Sequence, residues 1–425
     1  MNKIEKPVAI VLGGTIPHKN LIKLLKKRGY FTILVDYLKD PPAKLTADIH
    51  LQKSTLDQLE VLKIAKEYQA ELVVCGCVDQ ANITACYVME QIGKRPPYSY
   101  KTALQITNKG EMKRIMTEKG IPTARYLYVD KEREIDFEQF DLRYPVMVKP
   151  ADSNSANGVR KAYCREETEI YLHDALEISR NGRAIVEEFL VGQEISAYCY
   201  IQDKKAKLLM TAERISMLDG ENEIIKCFAS IAPARISEVV EQRAENIATQ
   251  IAKAFNLDNT PLFFQGIVRE EQIAVIEFAP RIGGGACFRT IEENTGVDVI
   301  SAIIDSWEGK RANISKWKKA DKLLVVNTVY GKNGIFDHLE GVDKILDSGE
   351  AIDYYQIRSK GDKIDNSRAS SSRIAFFIVS ALNEDDLLKK VHGIYEKLRI
   401  LDSKGENLIR YDMNLETLWD CVKQI

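Results

Sequence analysis

The run Phe263-Phe264-Gln265-Gly266-Ile267-Val268-Arg269-Glu270-Glu271-Gln272-Ile273-Ala274-Val275-Ile276-Glu277-Phe278-Ala279-Pro280-Arg281-Ile282-Gly283-Gly284-Gly285 decides how this chain reads. Two apolar stretches flank a charged turn over 269–272, which is the pattern of a β-hairpin. With the turn centred near Glu271, Gln265 lies across from Glu277, within side-chain reach. The two-residue period of a strand then sets Glu277, Ala279 and Arg281 on one face. A carboxylate, an amide and a guanidinium on one surface, followed at once by three glycines, suit a divalent metal carrying phosphates.

Working outward, 425 residues give room for two or three domains. A formal charge of −2 and a pI near 6.3 lack the basic surplus of a general nucleic-acid binder. With 45% apolar and 29% charged residues, the composition is that of an ordinary globular protein. No apolar run approaches the ~20 residues of a membrane span. The N-terminal apolar stretch 7–12 is too short for a signal peptide and leads into a Gly-Gly turn. The eight cysteines form no zinc or disulfide framework; Cys75 and Cys77 lie in an apolar run with no second pair at metal spacing. Buried reduced thiols and a cytoplasmic location are the expectation.

The first hundred residues alternate strand and helix: strands at 8–12, 31–35 and 72–77, helices at 20–28 and 79–92. This pattern predicts a parallel sheet. Asp79 falls where a strand passes into a helix, at the N-cap position on the carboxyl edge of that sheet. Gly13-Gly14 is not G-x-G-x-x-G, so a dinucleotide site is not indicated. After Arg95-Pro96-Pro97, one helix is expected over 102–118. Short strands follow at 126–129, 145–149, 159–163, 184–190, 194–201 and 206–214. Helices are expected at 166–179, 237–255 and 295–307. Past 319 the chain alternates again, with strands at 323–330 and 372–381 and a helix at 384–398.

Three further segments carry chemistry. A strand ends in Lys149 and opens into Asp152-Ser153-Asn154-Ser155-Ala156-Asn157-Gly158, whose backbone N–H groups and hydroxyls suit phosphate oxygens. Val186-Glu187-Glu188-Phe189-Leu190-Val191-Gly192-Gln193-Glu194 is a strand leaving into a short loop. An adenine edge could pair with its backbone near Glu187 and Leu190, and Glu194 could accept from ribose hydroxyls. Lys109 stands in a helical stretch, where a lone lysine is ordinarily a surface charge.

The order and spacing of Lys109, Lys149 with its glycine loop, Glu-Glu-Phe-Leu-x-Gly-x-Glu and the Glu277 hairpin resemble the ATP-grasp superfamily. The region 281–305 and Ser372-Arg373 are similar to the carboxylate–amine ligases, notably of the L-amino-acid ligase type. The resemblance implies an α/β and α+β chain: an N-terminal Rossmann-like parallel-sheet domain (1–108), a two-lobed ATP-grasp domain (109–310, mobile lobe about 110–190) and a C-terminal α+β accessory domain (311–425). It implies an ATP-dependent ligase forming an amide or peptide bond through an acyl phosphate, with ATP and Mg²⁺ (or Mn²⁺) as cofactors. Lys109 and Lys149 would hold phosphates, with Ser153, Ser155 and Gly158 in the closing loop. Glu187, Leu190 and Glu194 would take adenine and ribose, and Glu277 with Gln265 the metal. Arg281 would hold the transferred phosphoryl group. Gly13, Gly14, Asp79, Gly283, Gly284 and Gly285 would help form the substrate cleft. Small carboxylates and amines, amino acids among them, are the expected partners, with neither nucleic acid nor membrane; a homodimer is left open.

The chain departs from the superfamily at the metal site. An acidic residue is usual where Gln265 stands, and an asparagine where Ala279 stands. Mg²⁺ wants about six oxygens and takes few of them from protein, so Glu277 with Gln265 suffices for one ion and holds a second poorly. The alternatives are an ATP-grasp carboxylase or thiol ligase, or a non-catalytic ATP-binding module. Glu213 and Asp79 are candidates for the amine's base, and Arg214, Arg235 and Arg289 for a substrate carboxylate.

Overall fold

The computed structural model describes residues 5–132, 141–152, 158–220 and 224–415. Its N-terminal unit is a four-stranded parallel sheet of β1 (Val8–Leu12), β2 (Phe31–Asp36), β3 (Ile49–Gln52) and β4 (Leu72–Val74), in the order β3-β2-β1-β4. β1 is buried at every position, as a central parallel strand covered on both faces must be. Helix α1 (Ile16–Lys27) connects β1 to β2, α2 (Gln58–Glu67) connects β3 to β4, and α3 (Asp79–Gln91) follows β4. Asp79 is the first residue of α3 rather than its N-cap, which is Val78. Its carboxylate is taken by Arg281, far along the chain, and not by its own helix.

The helix expected over 102–118 is two helices, α4 (Tyr100–Thr107) and α5 (Lys109–Glu118). Asn108 separates them in an extended conformation (ψ 106°), and its side chain accepts from the Gly110 and Glu111 N–H groups. A capping asparagine competes well with helix continuation, and the break sets Lys109 at the start of a new helix.

A small lobe follows, built from β5 (Tyr126–Asp130), β6 (Val146–Pro150), β7 (Arg160–Ala162) and β8 (Arg183–Glu188) in the antiparallel order β5-β8-β6-β7. Helix α6 (Arg165–Ile178) packs on β6 and β8 around a separate core that includes Val146, Val148, Leu172 and Val186.

The largest sheet is antiparallel and eight-stranded. It contains β9 (Gln193–Gln202), β10 (Lys205–Asp219), β11 (Ile224–Ala232), β12 (Thr260–Arg269), β13 (Gln272–Ala279) and β14 (Leu323–Tyr330) in the order β13-β12-β9-β10-β11-β14, continued by Arg373–Ala381 and Asp353–Gln356. The ladder between β11 and β14 therefore carries one sheet across residue 310. The strand expected to end at 214 runs on to Asp219, and β11 is an addition to the sequence reading. Its apolar run is interrupted by Lys226, which is fully buried and neutralised by Asp219 at 2.6 Å, with Asn366 accepting a further bond at 2.7 Å.

Helix α7 (Glu238–Ala254) covers β9, β10, β12 and β13. The helix expected over 295–307 is instead α8 (Cys287–Thr295) and α9 (Val299–Trp307), divided by Gly296 in the left-handed conformation (φ 76°). Helix α9 packs on α1, β4 and β12, and so welds the N-terminal unit to the large sheet. Arg28 reinforces that seam through Asp305 (2.7 Å) and Glu308 (2.9 Å). Among the described residues no helix is long and apolar enough to cross a membrane.

Candidate active site

The β12–β13 hairpin turns at Glu270 and Glu271, both with positive φ (49° and 61°), as a two-residue turn matched to strand twist requires. Arg269 pairs with Gln272, and the register continues to Gly266 opposite Val275. A bulge then intervenes, so that Gln265 pairs with Glu277. Without that extra residue Gln265 would face Ile276, and Glu277 would point to the other side of the sheet.

The bulge delivers Glu277 into a cleft of about 520 Å³ between the small lobe and the large sheet, the size of a small-molecule site. Lys109, Lys149, Glu187, Leu190, Glu194, Gln265, Arg281, Gly284, Gly285 and Asp79 all line it. Residues from three separate units thus converge on one space. Gly13, Gly14 and Gly283 stand back from it: a Cβ on Gly13 would meet the His18 ring at 2.9 Å, on Gly14 Pro41 at 2.5 Å, and on Gly283 Tyr198 at 2.9 Å. Gly158 is in the left-handed conformation (φ 74°), where a side chain would be strained. Ser153 and Ser155 lie outside the described residues.

Two buried charge networks border the cleft. In the first, Lys149 bonds Glu187 Oε1, while Lys113 reaches Glu187 Oε2 at 2.7 Å and donates to Thr123 Oγ1 at 2.7 Å. Thr123 in turn bonds the Val275 carbonyl at 2.8 Å, so the network crosses to the hairpin. Burial pushes the Glu187 carboxyl up, but Lys149 and Lys113 outweigh it and hold it at about 2. The Glu187 side chain is therefore committed to lysines, and its backbone pairs with β5 and β6 on both sides. The adenine-edge reading is left with the chain just beyond, near Leu190. Lys113 escaped the sequence reading although it follows Lys109 by one helical turn, a spacing that puts both on one face.

In the second network, Arg214 Nε donates to Glu194 Oε1 at 2.7 Å. With its amide oriented by its neighbours, Gln265 accepts from Arg214 Nε at 2.8 Å and donates to Glu277 Oε1 at 2.9 Å. Gln265 thus turns its N–H₂ group, not its oxygen, toward Glu277, contrary to the ligand role expected of it. Arg214 takes the oxygen. Ala279 is buried and offers no donor atom. Burial lowers the Lys109 ammonium from its ordinary range, with Glu277 pulling the other way.

At the far end, Arg281 binds Asp79 bidentately, Nε to Oδ1 and Nη2 to Oδ2, both at 2.6 Å. This is the strongest geometry an arginine offers a carboxylate, and it ties the hairpin to the N-terminal unit. Of the arginines considered for a substrate carboxylate, only Arg214 lines the cleft. Arg235 is held by Glu213 through two bonds of 2.8 Å, and Arg289 by Glu293 at 3.0 Å and Asp353 at 3.4 Å. The structure adds Cys77, Cys227, Cys287, Arg373 and Phe376 to the lining. The seven described cysteines are unpaired, and burial raises the Cys77 thiol.

Residues 107–287 match the family model of the phosphoribosylglycinamide synthetase ATP-grasp (A) domain. An ATP-grasp domain thus matches about two-fifths of the chain, from α5 through β13. It is similar to a formate-dependent phosphoribosylglycinamide formyltransferase of Ignicoccus hospitalis, 26% identical over 251 residues, which are 57% of this chain and 61% of that relative. The match thus spans about three-fifths of that relative's length. The L-arginine-specific L-amino acid ligase of Bacillus subtilis is 24% identical over 80% of this chain and 81% of its own. The crystal structure of an L-amino acid ligase from Bacillus licheniformis superposes with a TM-score of 0.75 at 15% identity, covering 93% of this chain and 99% of the other.

Proposed function

We propose that this ATP-grasp protein is an ATP-dependent carboxylate–amine ligase, forming an amide or peptide bond through an acyl phosphate and releasing ADP and phosphate. The observation that carries the reading is the convergence of Lys109, Lys149, Glu277 and Arg281, from three elements, on one cleft. The relatives' names point the same way. Residues 1–108, 109–310 and 311–425 act as the N-terminal, ATP-grasp and C-terminal domains, the last two sharing a sheet.

In this reading Lys109 and Lys149 hold the ATP phosphates, with Glu187 and Lys113 fixing where Lys149 points. The backbone at Leu190 takes adenine, Glu194 takes ribose, and the loop containing Ser153, Ser155 and Gly158 closes over the phosphates. The donor set fits one Mg²⁺ or Mn²⁺ and no more. Glu277 is the cleft-lining carboxylate met by an amide rather than a cation, Gln265 keeps its oxygen on Arg214, and Ala279 contributes nothing. A bound ion would neutralise phosphate charge, with nucleotide oxygens and water completing its shell. Among the described residues no group of three or more His, Cys, Asp or Glu side chains is placed to hold a metal by itself, which agrees with an ion carried in on the nucleotide.

The substrate carboxylate attacks the γ-phosphorus and ADP departs with the electrons of the broken P–O bond. Arg281, oriented by Asp79, holds the resulting acyl phosphate. An amine then attacks its carbonyl carbon, phosphate leaves, and the nitrogen gives up a proton. Positioning and charge compensation supply the catalysis. Glu213 and Asp79 are each held through both oxygens by an arginine, Arg235 and Arg281, so neither is poised to serve as the amine's base.

A non-catalytic nucleotide-binding module is the competing reading, favoured by the turned amide of Gln265. ADP release in the presence of Mg²⁺, ATP and pooled amino acids and hydroxy acids separates the two. Acceptor-dependent release is expected. Saturable ATP binding with no release under any acceptor pair would leave the module. Light scattering decides whether the protein is a homodimer.

A further inference from the structure

Arg214 stands on β10 and its side chain reaches over β9 to β12. The registers set it opposite Glu194, since Ala212 pairs with Ser196 and Glu213 with Ile195. Ser196 pairs in turn with Gln265 on β12. The two-residue period puts Glu194, Ser196 and Tyr198 on one face of β9, and Glu194 and Tyr198 line the cleft. Ser196 and Ala212 are small and buried, which leaves the guanidinium room to cross above them. It meets Glu194 at 2.7 Å and the Gln265 oxygen at 2.8 Å, and Gln265 passes the contact on to Glu277 at 2.9 Å.

The charge of Arg214 is only half answered. Arg281 spends Nε and Nη2 on the two oxygens of Asp79. Arg214 meets Glu194 through Nε alone, and its Nη1 has the neutral Gln265 oxygen at 3.2 Å. Among the described residues neither Nη group bonds a carboxylate. That open edge is the one an arginine presents to two phosphate oxygens. The other carboxylates of the cleft are committed: Asp79 to Arg281, Glu187 to Lys149 and Lys113, and Glu188 to Arg125. Glu277 reaches Arg214 only through the amide. A glutamate at 265 would set Arg214 between two carboxylates and cancel it, whereas the amide keeps the contact and leaves the charge. Arg373, which also lines the cleft, donates to the Tyr330 hydroxyl and stands off this series.

The series Glu194, Arg214, Gln265 and Glu277 runs from the carboxylate assigned above to ribose to the one assigned to the metal. In a nucleotide the atoms that join those two points are the polyphosphate, so Arg214 lies beside its path. One divalent ion does not neutralise a triphosphate, and neither Gln265 nor Ala279 is a ligand for a second. We propose that Arg214 binds phosphate oxygens of the nucleotide directly and supplies, as a fixed cation, the charge that a second divalent ion would bring. This rests on the nucleotide site of the ligase reading and gives that site a third cation beside Lys109 and Lys149.

The test is calorimetric binding of a non-hydrolysable ATP analogue, and separately of adenosine, to the full chain in the presence of Mg²⁺. In Arg214→Met the analogue is expected to bind about 10- to 100-fold more weakly, the range of one charge-assisted hydrogen-bonded pair. Adenosine affinity stays level in that variant, and Arg214→Lys keeps part of the affinity for the analogue. Equal weakening of both ligands would mean that Arg214 acts only by placing Glu194 at the ribose, which overturns the inference. A second measurement needs no variant. Mn²⁺ titration followed by electron paramagnetic resonance, with the analogue saturating, is expected to show one tightly held ion per chain; two equally tight ions overturn the inference. If Arg214→Met shows the expected loss and no carboxylate and amine pair yields ADP, the ligase reading fails while the Arg214 contact stands. If ADP is released and the analogue binds Arg214→Met as it binds the parent, the contact fails and the ligase reading stands.

Discussion

Two carboxylates face the same cleft and are treated differently. Glu187, on the small lobe, is gripped by Lys149 and Lys113 together. Glu277, on the hairpin, meets among the described residues only the amide of Gln265, with Lys109 exerting its charge through space. The first carboxylate has its compensation built in, and the second is left to be compensated from outside. A carboxylate whose partners are internal positions other groups; one whose partner is a neutral amide is available to a cation that arrives with a ligand. The contrast separates a residue that holds the site together from one that works in it.

The largest effect should come from breaking the first network. Glu187→Leu leaves two buried ammonium groups unpaired, and loss of about 3–5 kcal/mol of stability is expected, read from chemical denaturation. A variant as stable as the parent would mean that the lysines find other partners and that the grip is dispensable. Glu277→Ala should do the reverse. Turnover falls about 10²- to 10³-fold, while the melting temperature stays level or rises and the ATP analogue still binds. A drop in stability like that of Glu187→Leu would erase the distinction between the two residues.

Gln265→Glu should move the hairpin toward the other pattern. A second carboxylate beside Glu277 is relieved by a divalent ion, so Mn²⁺ affinity followed by electron paramagnetic resonance should rise about tenfold, or ~1.4 kcal/mol. No change would show that Arg214 captures the new carboxylate entirely. The smallest effect is on the acid limb. Burial opposes ionisation of Glu187, yet its lysines win and its folded value is about 2 against an ordinary 4.5. A depressed carboxyl contributes stability above the unfolded value and loses it as pH falls through the folded one. The stability gap between the parent and Glu187→Gln should therefore narrow between pH 4.5 and 2. A gap independent of pH would contradict the pairing.

Much of this was legible in the chain itself. The hairpin, the parallel N-terminal sheet and the ordered series Lys109, Lys149, Glu187, Glu277 depend on local periodicity and spacing, which a sequence displays directly; the Gln265–Glu277 pair was expected from a turn centred near Glu271, whereas it forms through a two-residue turn and a bulge. The breaks at Asn108 and Gly296 were also written there, in a capping residue and a left-handed glycine, but apolar periodicity on both sides concealed them. β11 stayed hidden because Lys226 reads as a surface charge until Asp219 and Asn366 are known to bury it.

What the sequence by itself determined is the kind of fold and the identity of the charged groups that line the cleft. Only the tertiary structure decided how those groups are paired. The bulge at Gln265 sets which face Glu277 presents, the long-range contact with Asp79 orients Arg281, and Arg214 draws the oxygen of the Gln265 amide away from Glu277. Arg373 reaches the cleft only because the large sheet continues past residue 310 and brings its strand there. The physical reason is range: secondary structure follows from neighbours a few residues apart, while charge compensation at a buried site depends on whichever side chains the fold brings within about 4 Å.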